Sequence, residues 1–159
     1  MSLSTDFERD LLAEIPLARA MQLSVRDYCA DELVLAAPLA PNVNDKGCAF
    51  GGSLGSLLTL AGWGLIVLHL REIGRDCDVY VQDSQMRYLA PVWVDFSAHA
   101  RLVEGESWQV FSETLSLRGR ARTRVHCRVP LPEGGDACTL EARFVAIAKS
   151  PIKHTIQAG

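Results

Sequence analysis

Hydrophobic and polar residues change their spacing several times along the chain, and each spacing predicts a different kind of element. Near the amino terminus, apolar residues recur at helical spacing at Phe7, Leu11 and Ile15. Thr5 and Glu8 fit the T-x-x-E capping box that begins many helices, and Pro16 argues for a stop just before it. Residues 1–17 are therefore expected to hold a short amphipathic helix.

A spacing of two residues follows and predicts β-strands. Apolar residues alternate with polar ones at Met21, Leu23 and Val25, and again at Leu33, Leu35 and Ala37. The polar turn between these two runs makes them a predicted hairpin. Four further strand-like runs occupy residues 78–91, 92–103, 118–131 and 138–149. In the second of these runs one predicted face carries Val94, Phe96, Ala98, Ala100 and Leu102.

The segment between the second and third of these runs, residues 104–117, leaves two interpretations open. Trp108, Phe111 and Leu115 are spaced as on a short helix. Ser107 precedes them as a candidate helix cap, and a strand is the alternative.

The longest apolar segment covers residues 53–70 and contains no Asp, Glu, Lys or Arg. About 18 such residues are enough to span a membrane. Against a membrane span, polar side chains interrupt the segment at Ser53, Ser56, Thr59 and His69. The surrounding strands also need an apolar surface to cover. We therefore favour a buried core helix that begins near Gly52 or Ser53 and ends at Gly74, a residue suited to a helix carboxyl terminus.

One helix can cover a six-stranded sheet only if the sheet curls around it. The helix must then be apolar on nearly every side, and this one is. Gly62 and Gly64 lie inside it and indicate a close approach by neighbouring backbone or side chains. The predicted fold class is therefore α+β, a curved antiparallel sheet wrapped around one long apolar helix. Residues 1–159 are expected to form a single domain, with 150–159 as a flexible tail.

Composition, net charge and cysteine spacing argue against several classes of function. The 159 residues are 48% hydrophobic and carry a net charge of −3, which suits one globular domain and does not point to nucleic acid. The five cysteines form no CxxC pair, so reduced thiols in a cytoplasm are expected, with neither disulfides nor a metal site. The amino terminus carries acidic residues and lacks the apolar core of a secretory signal.

The polar loop before the apolar segment carries a recognisable pattern. Its residues are Asn42, Asn44, Lys46, Gly47, Ala49, Phe50, Gly51, Gly52, Ser53 and Leu54, followed within the helix by Ala61, Gly62 and Trp63. Asn44, Gly47, Phe50, Gly51 and Gly52 match the N-x-x-G-x-x-F-G-G loop of hotdog-fold acyl-CoA thioesterases. Over nearly its whole length the chain resembles the thioesterase-like hotdog family that also occurs fused behind an acetyltransferase domain in some bacteria.

This resemblance implies hydrolysis of an acyl thioester carried by coenzyme A or acyl carrier protein. It further implies a cytoplasmic bacterial homodimer, or a dimer of dimers, with no cofactor and no insertion into a membrane. The site would lie at the dimer interface beside the amino terminus of the long helix. The catalytic residues it suggests are Asn44, Gly52 and Asp83, and the substrate-binding residues are Phe50, Gly51, Ser53 and Ser56.

The chemistry of a helix amino terminus fits these assignments. Thioester hydrolysis places negative charge on a carbonyl oxygen, and the first amides of a helix lack intrahelical acceptors and lie at its positive end. Gly51 and Gly52 would let the substrate approach those amides closely. Asn44 would orient the water or bind the thioester, unless it only holds a turn. Asp83 would be a relocated base or a water-orienting residue, in its own site or in the partner's, unless it is only a paired or solvated strand acid.

One departure from the family pattern bears on activity. Many hotdog thioesterases carry a carboxylate about two turns into the central helix, where this chain has only Ser56 and Thr59 as polar residues. A non-catalytic module that binds acyl-CoA is therefore the alternative. A hotdog hydratase ranks last, because residues 42–60 contain no histidine.

Two other features have plain interpretations that we favour. Cys48 lies just before the helix and could be a nucleophile, but it is better explained as a small loop residue. An arginine stripe, defined as Arg118, Arg120, Arg122, Arg124 and Arg128, shares one strand face. Pairing with acids such as Glu141 on the neighbouring strand is favoured over binding of coenzyme A phosphates.

Overall fold

The computed structural model describes residues 2–29 and 31–149. The expected tail, 150–159, therefore lies outside the described residues. Two short helices, α1 (Leu3–Glu14) and α2 (Pro16–Met21), precede a hairpin of β1 (Ser24–Cys29) and β2 (Glu32–Ala37). A 3₁₀ turn (Ala40–Asn42) leads to the long helix α3 (Gly51–Glu72). The remaining elements are β3 (Cys77–Tyr88), β4 (Phe96–Leu102), α4 (Trp108–Arg118), β5 (Arg120–Pro130) and β6 (Asp136–Ala148).

The amino-terminal prediction needs two corrections. Ser2, not Thr5, caps α1, because the Ser2 hydroxyl accepts a hydrogen bond from the Thr5 amide. Glu8 completes no capping box there, since its carboxylate accepts from the Val25 amide at 2.7 Å and ties α1 to β1. Pro16 ends α1 as predicted but also begins α2, where a proline in the first turn sacrifices no hydrogen bond. Met21 consequently belongs to a helix and not to the first strand.

The six strands form one antiparallel sheet in the order β1-β2-β4-β5-β6-β3. Strand β5 shows the predicted alternation most clearly, with apolar or small residues buried and Arg120, Arg122 and Arg124 exposed. The predicted face of the 92–103 run is right for Phe96, Ala98 and Ala100, which are buried in β4. It is wrong for Val94, which precedes β4 and is exposed. The helical interpretation of residues 108–118 is confirmed, with Ser107 as its cap.

Helix α3 lies inside the curve of the sheet, so the predicted α+β architecture is confirmed. A Cβ built on Gly62 would lie 3.0 Å from the ring of Phe144, and one on Gly64 would lie 2.8 Å from both Leu33 and Phe7. The glycines therefore mark the close approach that the sequence predicts. Ile73 and Gly74 end the helix, with Gly74 at a positive φ of 67°.

The length and composition of α3 would also suit a membrane span, with a mean hydropathy of 1.6 over its most apolar window. In the folded chain, however, 56% of that window is buried within the protein. The core of the fold supplies the covering that the apolar side chains need, as expected for a buried helix.

Candidate functional site

Asn44 is the centre of the loop that precedes α3. Its side-chain oxygen accepts hydrogen bonds from the amides of Lys46 at 2.8 Å and Cys48 at 3.3 Å, and its side-chain nitrogen donates to the Cys48 sulfur at 3.1 Å. The Asn44 amide donates to the Cys48 carbonyl at 2.8 Å. Gly47 closes the turn at a φ of 88°, a conformation that favours glycine. Asn44 therefore holds an Asx-type turn, and Cys48 is a buried partner in it.

Asn42 connects this loop to the rest of the fold. Its backbone carbonyl accepts from the Phe50 amide at 2.7 Å, directly before α3 begins. Its buried side chain donates to two backbone carbonyls at 3.0 and 2.8 Å, those of Met21 and Pro38. The start of α3 is thus fixed against α2 and the segment after β2.

The first amides of α3 have no hydrogen-bond acceptor within the helix. Phe50 occupies the cap position without a side-chain hydrogen bond from the described part of the chain, and the first intrahelical bond runs from the Leu54 amide to the Phe50 carbonyl at 3.0 Å. The amides of Gly51, Gly52 and Ser53 precede that bond, so α3 offers them no acceptor. Together with the positive end of the helix dipole, these amides suit an anionic or polarised oxygen.

Two aromatic side chains flank this helix terminus. The ring of Phe50 is 54% exposed and covers Gly52 so closely that a Cβ there would lie 2.4 Å from it. Tyr88, at the end of β3 and 59% exposed, donates its hydroxyl to the Gly51 carbonyl at 3.2 Å. Partial burial, with a smaller contribution from Cys138, raises the pKa of Tyr88, so the phenol keeps its proton. We did not predict Tyr88 from the sequence, although it ends the strand that contacts the helix.

A shallow apolar groove of about 350 Å³ runs from this terminus along α3. Its floor is one face of the helix, formed by Gly52, Gly55, Ser56, Thr59 and Leu60. Its walls come from two distant parts of the chain, Ile15 and Leu17 at the junction of α1 and α2, and Met86 in β3. The structure thus brings the predicted residues Gly52 and Ser56 together in one groove, and adds wall residues that we did not predict.

Asp83 does not line the groove of its own chain. It pairs in the β-ladder with Arg143, and its carboxylate lies 3.9 Å from the Arg143 guanidinium. Arg143 alternates along β6 with the buried residues Ala142 and Phe144, so Asp83 shares the outer sheet face. Its side chain is 61% exposed there. The structure does not bring Asp83 to the tip of α3 in the same chain.

Arg120, Arg122, Arg124 and Arg128 lie on the outer face of β5, and the last three make polar contacts, Arg122 with Gln82. The predicted stripe is wrong for Arg118, which ends α4 and does not lie on the strand. Arg124 contacts Glu106 and Glu141, each at 3.3 Å. Arg128 contacts Asp136 at 2.7 Å. The cross-strand pairing that the sequence favours is therefore present between Arg124 and Glu141.

Comparisons with known proteins agree with this geometry. A family model described as "Putative thioesterase (yiiD_Cterm)" matches residues 4–148. A protein of unknown function from Chlorobaculum tepidum is similar in structure, with 27% identity, coverage of 92% of this chain and 95% of that one, and a TM-score of 0.86. A "putative thioesterase" from Shewanella oneidensis has 26% identity, coverage of 91% and 97%, and a TM-score of 0.80.

A third structure, from Pseudomonas aeruginosa, shares the fold at 22% identity, with coverage of 94% and 99% and a TM-score of 0.77. The sheet wrapped around α3 is thus the hotdog fold that the resemblance implies. The match of the family model over residues 4–148 covers most of the chain, and the chain belongs to the family described as "Putative thioesterase (yiiD_Cterm)".

Proposed function

We propose that the protein hydrolyses an acyl thioester of coenzyme A or acyl carrier protein at the amino terminus of α3. One observation carries the proposal, namely that Gly52, whose amide precedes the first intrahelical hydrogen bond of α3, also lines an apolar groove. A thioester substrate has the matching parts, a polarised carbonyl oxygen followed by an apolar chain. The family to which the chain belongs agrees with this chemistry.

In this proposal the thioester carbonyl oxygen lies against the amides near Gly52. Water attacks the carbonyl carbon, and the negative charge that develops on the oxygen is stabilised by those amides and the helix dipole. The tetrahedral intermediate then collapses, the carbon–sulfur bond breaks, and the leaving thiolate takes the proton that the attacking water has lost. Asn44 positions the loop and orients the water, while Phe50, Gly51, Ser53 and Ser56 contact the substrate.

A homodimer, alone or as a dimer of dimers, would complete the site. Strand β3 lies at the edge of the sheet and is 12 residues long. It exposes the large apolar or aromatic side chains of Tyr80, Val81 and Tyr88. A long edge strand with exposed apolar residues is a template for pairing with another chain. Pairing of two β3 strands would place residues of one copy beside the α3 terminus of the other. We expect the resulting dimer to be cytoplasmic.

Thiol release from purified protein tests the proposal directly. We expect free thiol to appear above the uncatalysed background when the protein is mixed with straight-chain acyl-CoAs. The same acyl chains on acyl carrier protein identify the preferred carrier. Binding of these thioesters without any thiol release would contradict hydrolysis and favour the binding module.

Replacing Asn44 with alanine is expected to lower kcat at least about tenfold, because the loss of one catalytic contact costs this much or more. Asn44→Asp is the matched control, because a carboxylate can still accept from the amides of Lys46 and Cys48. If Asn44→Asp keeps the kcat of the unmodified protein, Asn44 serves only to hold the turn. If Asn44→Asp and Asn44→Ala lose kcat equally, the side-chain amide group of Asn44 has a role of its own. Unchanged kcat in Asn44→Ala would exclude both roles.

Asp83 can serve as the base only in the site of a second copy, since in its own chain it lies on the outer face. Asp83→Asn is expected to slow turnover by roughly tenfold, the typical contribution of such a group being at least this large. A mixed dimer of Gly52→Val and Asp83→Asn chains then separates the arrangements. It should regain one intact site if Asp83 acts in the partner's site, and none if both residues serve the same chain's site.

The non-catalytic binding module remains the second candidate function, because of a specific feature of α3. The first turns of the helix present no carboxylate to the groove, only Ser56 and Thr59. The Thr59 hydroxyl donates to the Gly55 carbonyl at 2.8 Å and is therefore occupied. A module of this kind would bind acyl-CoA through the same helix terminus and groove.

A further inference from the structure

We propose that the groove beside α3 selects medium-length acyl chains of about eight to ten carbons, and that Leu17 is the residue that sets this preference. The inference rests on the proposed function, because it names the substrate class of the same site. It depends on the chemistry of the groove, its length and the origin of its outer wall.

The groove surface is apolar although its sequence contains hydroxyl groups. The Thr59 hydroxyl is turned back onto the helix, where it donates to the Gly55 carbonyl at 2.8 Å. Thr59 therefore presents its methyl group instead of a free polar atom. Opposite, the Met86 side chain approaches Gly55 so closely that a Cβ there would lie 3.1 Å from the Met86 methyl carbon. A surface of this kind favours an alkyl chain over a polar occupant.

The groove is continuous with the proposed thioester position, since Gly52 belongs to both. Its floor extends from Gly52 to Leu60, and eight residues of helix at 1.5 Å each span about 12 Å. An extended alkyl chain advances roughly 1.25 Å per carbon, from a carbon–carbon bond of about 1.5 Å at a tetrahedral angle. The floor thus accommodates nine or ten carbons, on the order of a medium-length acyl chain.

Leu17 forms the outer wall because of the way α1 and α2 join. Ile15 adopts an extended conformation, with a φ of −114° and a ψ of 99°, and separates the two helices. Helix α2 is anchored through the buried residues Ala18 and Met21. Leu17 lies in the first turn of α2, is 53% exposed and lines the groove. An exposed leucine held in place at this position gains apolar contacts when an alkyl chain enters.

Chain length should therefore control the rate. Each methylene group that the groove covers is expected to raise kcat/KM about fourfold, which corresponds to about 0.8 kcal/mol. The rise should stop near eight to ten carbons, where the floor ends at Leu60. Leu17→Ala should then lower kcat/KM about tenfold for eight- and ten-carbon chains, the loss of one to two methylene contacts, and change it less than about twofold for two- and four-carbon chains.

The experiment measures kcat/KM for even-numbered acyl-CoAs from two to sixteen carbons on the full chain and on Leu17→Ala. Leu117→Ala is the matched control, since Leu117 is an 85% exposed leucine on α4 that does not line the groove. Its length profile should equal that of the unmodified protein. Thermal unfolding of both variants verifies that each is folded, which the exposure of both leucines favours.

The failures of the two proposals are distinguishable. A flat length profile, or one that Leu17→Ala leaves unchanged, would overturn the groove assignment while hydrolysis stands. If no thioester is hydrolysed, Kd values for acyl-CoA analogues with a methylene group in place of the sulfur replace the rates. A length-dependent Kd that Leu17→Ala weakens would support the groove without hydrolysis. Sedimentation in which Leu17→Asp dissociates an oligomer would overturn the assignment, because a second copy would then fill the groove.

Discussion

Replacing Gly52 with valine is expected to lower kcat/KM at least about a hundredfold, the scale on which enzymes lose activity when one oxyanion donor is removed. A Cβ at this position would lie 2.4 Å from the Phe50 ring. The added side chain must therefore displace Phe50, and both groups then occupy the space in front of the first α3 amides. Because the Phe50 ring is exposed and can turn away, the fold should survive. Thiol release and a thermal unfolding curve on the same preparation measure both quantities.

Gly51→Ala is the matched control for the Gly52 variant. A Cβ on Gly51 would lie 3.5 Å from the Tyr88 ring, an ordinary contact distance. This variant changes helix propensity in the same turn without displacing Phe50, so its loss of activity should be much smaller. Gly52→Val with undiminished kcat/KM would remove the helix terminus from the reaction.

The largest expected loss of stability comes from Gly64→Val in the middle of α3. A Cβ there would lie 2.8 Å from both Leu33 and Phe7, which are buried and have no free space to move into. Overpacking of this kind destabilises a core by about 1–3 kcal/mol. Chemical denaturation, read as a shift of the midpoint at unchanged slope, measures the free energy of unfolding.

Gly55→Ala supplies the comparison for the stability measurement. Its nearest neighbour is the end of the Met86 side chain at 3.1 Å, in an open groove where the methyl group can move aside. Alanine in place of an interior helical glycine then contributes up to about 1 kcal/mol of stability. The two glycine substitutions should therefore have opposite signs. A stabilising Gly64→Val would show that the helix and sheet are not packed as described.

The elements that could be predicted from the sequence are those with one long and uniform pattern. Helix α3 is marked by its uncharged apolar run and strand β5 by its strict alternation, and the predicted bounds of both agree with the structure to within two residues. The assignment of Met21 to a strand was wrong because three apolar residues spaced by two can also run from the end of a helix into the strand that follows it. The prediction that Val94 is buried was wrong because an alternation of apolar and polar residues does not show where a strand begins to pair with its neighbour. Strand β4 begins only at Phe96.

Part of the site was predictable because it is local. The adjacent residues Gly51 and Gly52 predict a helix amino terminus, and in the structure α3 begins there without a side-chain cap from the described residues. The wall residues Ile15 and Leu17 come from a distant segment, and no spacing relates them to Gly52. Their place in the groove depends on the packing of α2.

The position of Asp83 illustrates a limit with a definite physical cause. A period of two along β3 would place Asp83 on the face of Val79 and Val81, toward the helix. The register instead shifts between Val81 and Asp83, where Gln82 is the extra residue of a β-bulge. A bulge reverses the faces of all the residues that follow it, so Asp83 points outward and Met86 inward. The alternation of residues along β3 gives no sign of this bulge.

If the amino terminus of α3 receives the activated acyl group, a crystal structure with an acyl-CoA analogue that has a methylene group in place of the sulfur shows this most directly. We expect the analogue's carbonyl oxygen within about 2.7–3.1 Å of the Gly52 amide nitrogen, with the alkyl chain along the groove toward Leu60. A carbonyl oxygen bound elsewhere, with the first amides of α3 covered by protein, would contradict it.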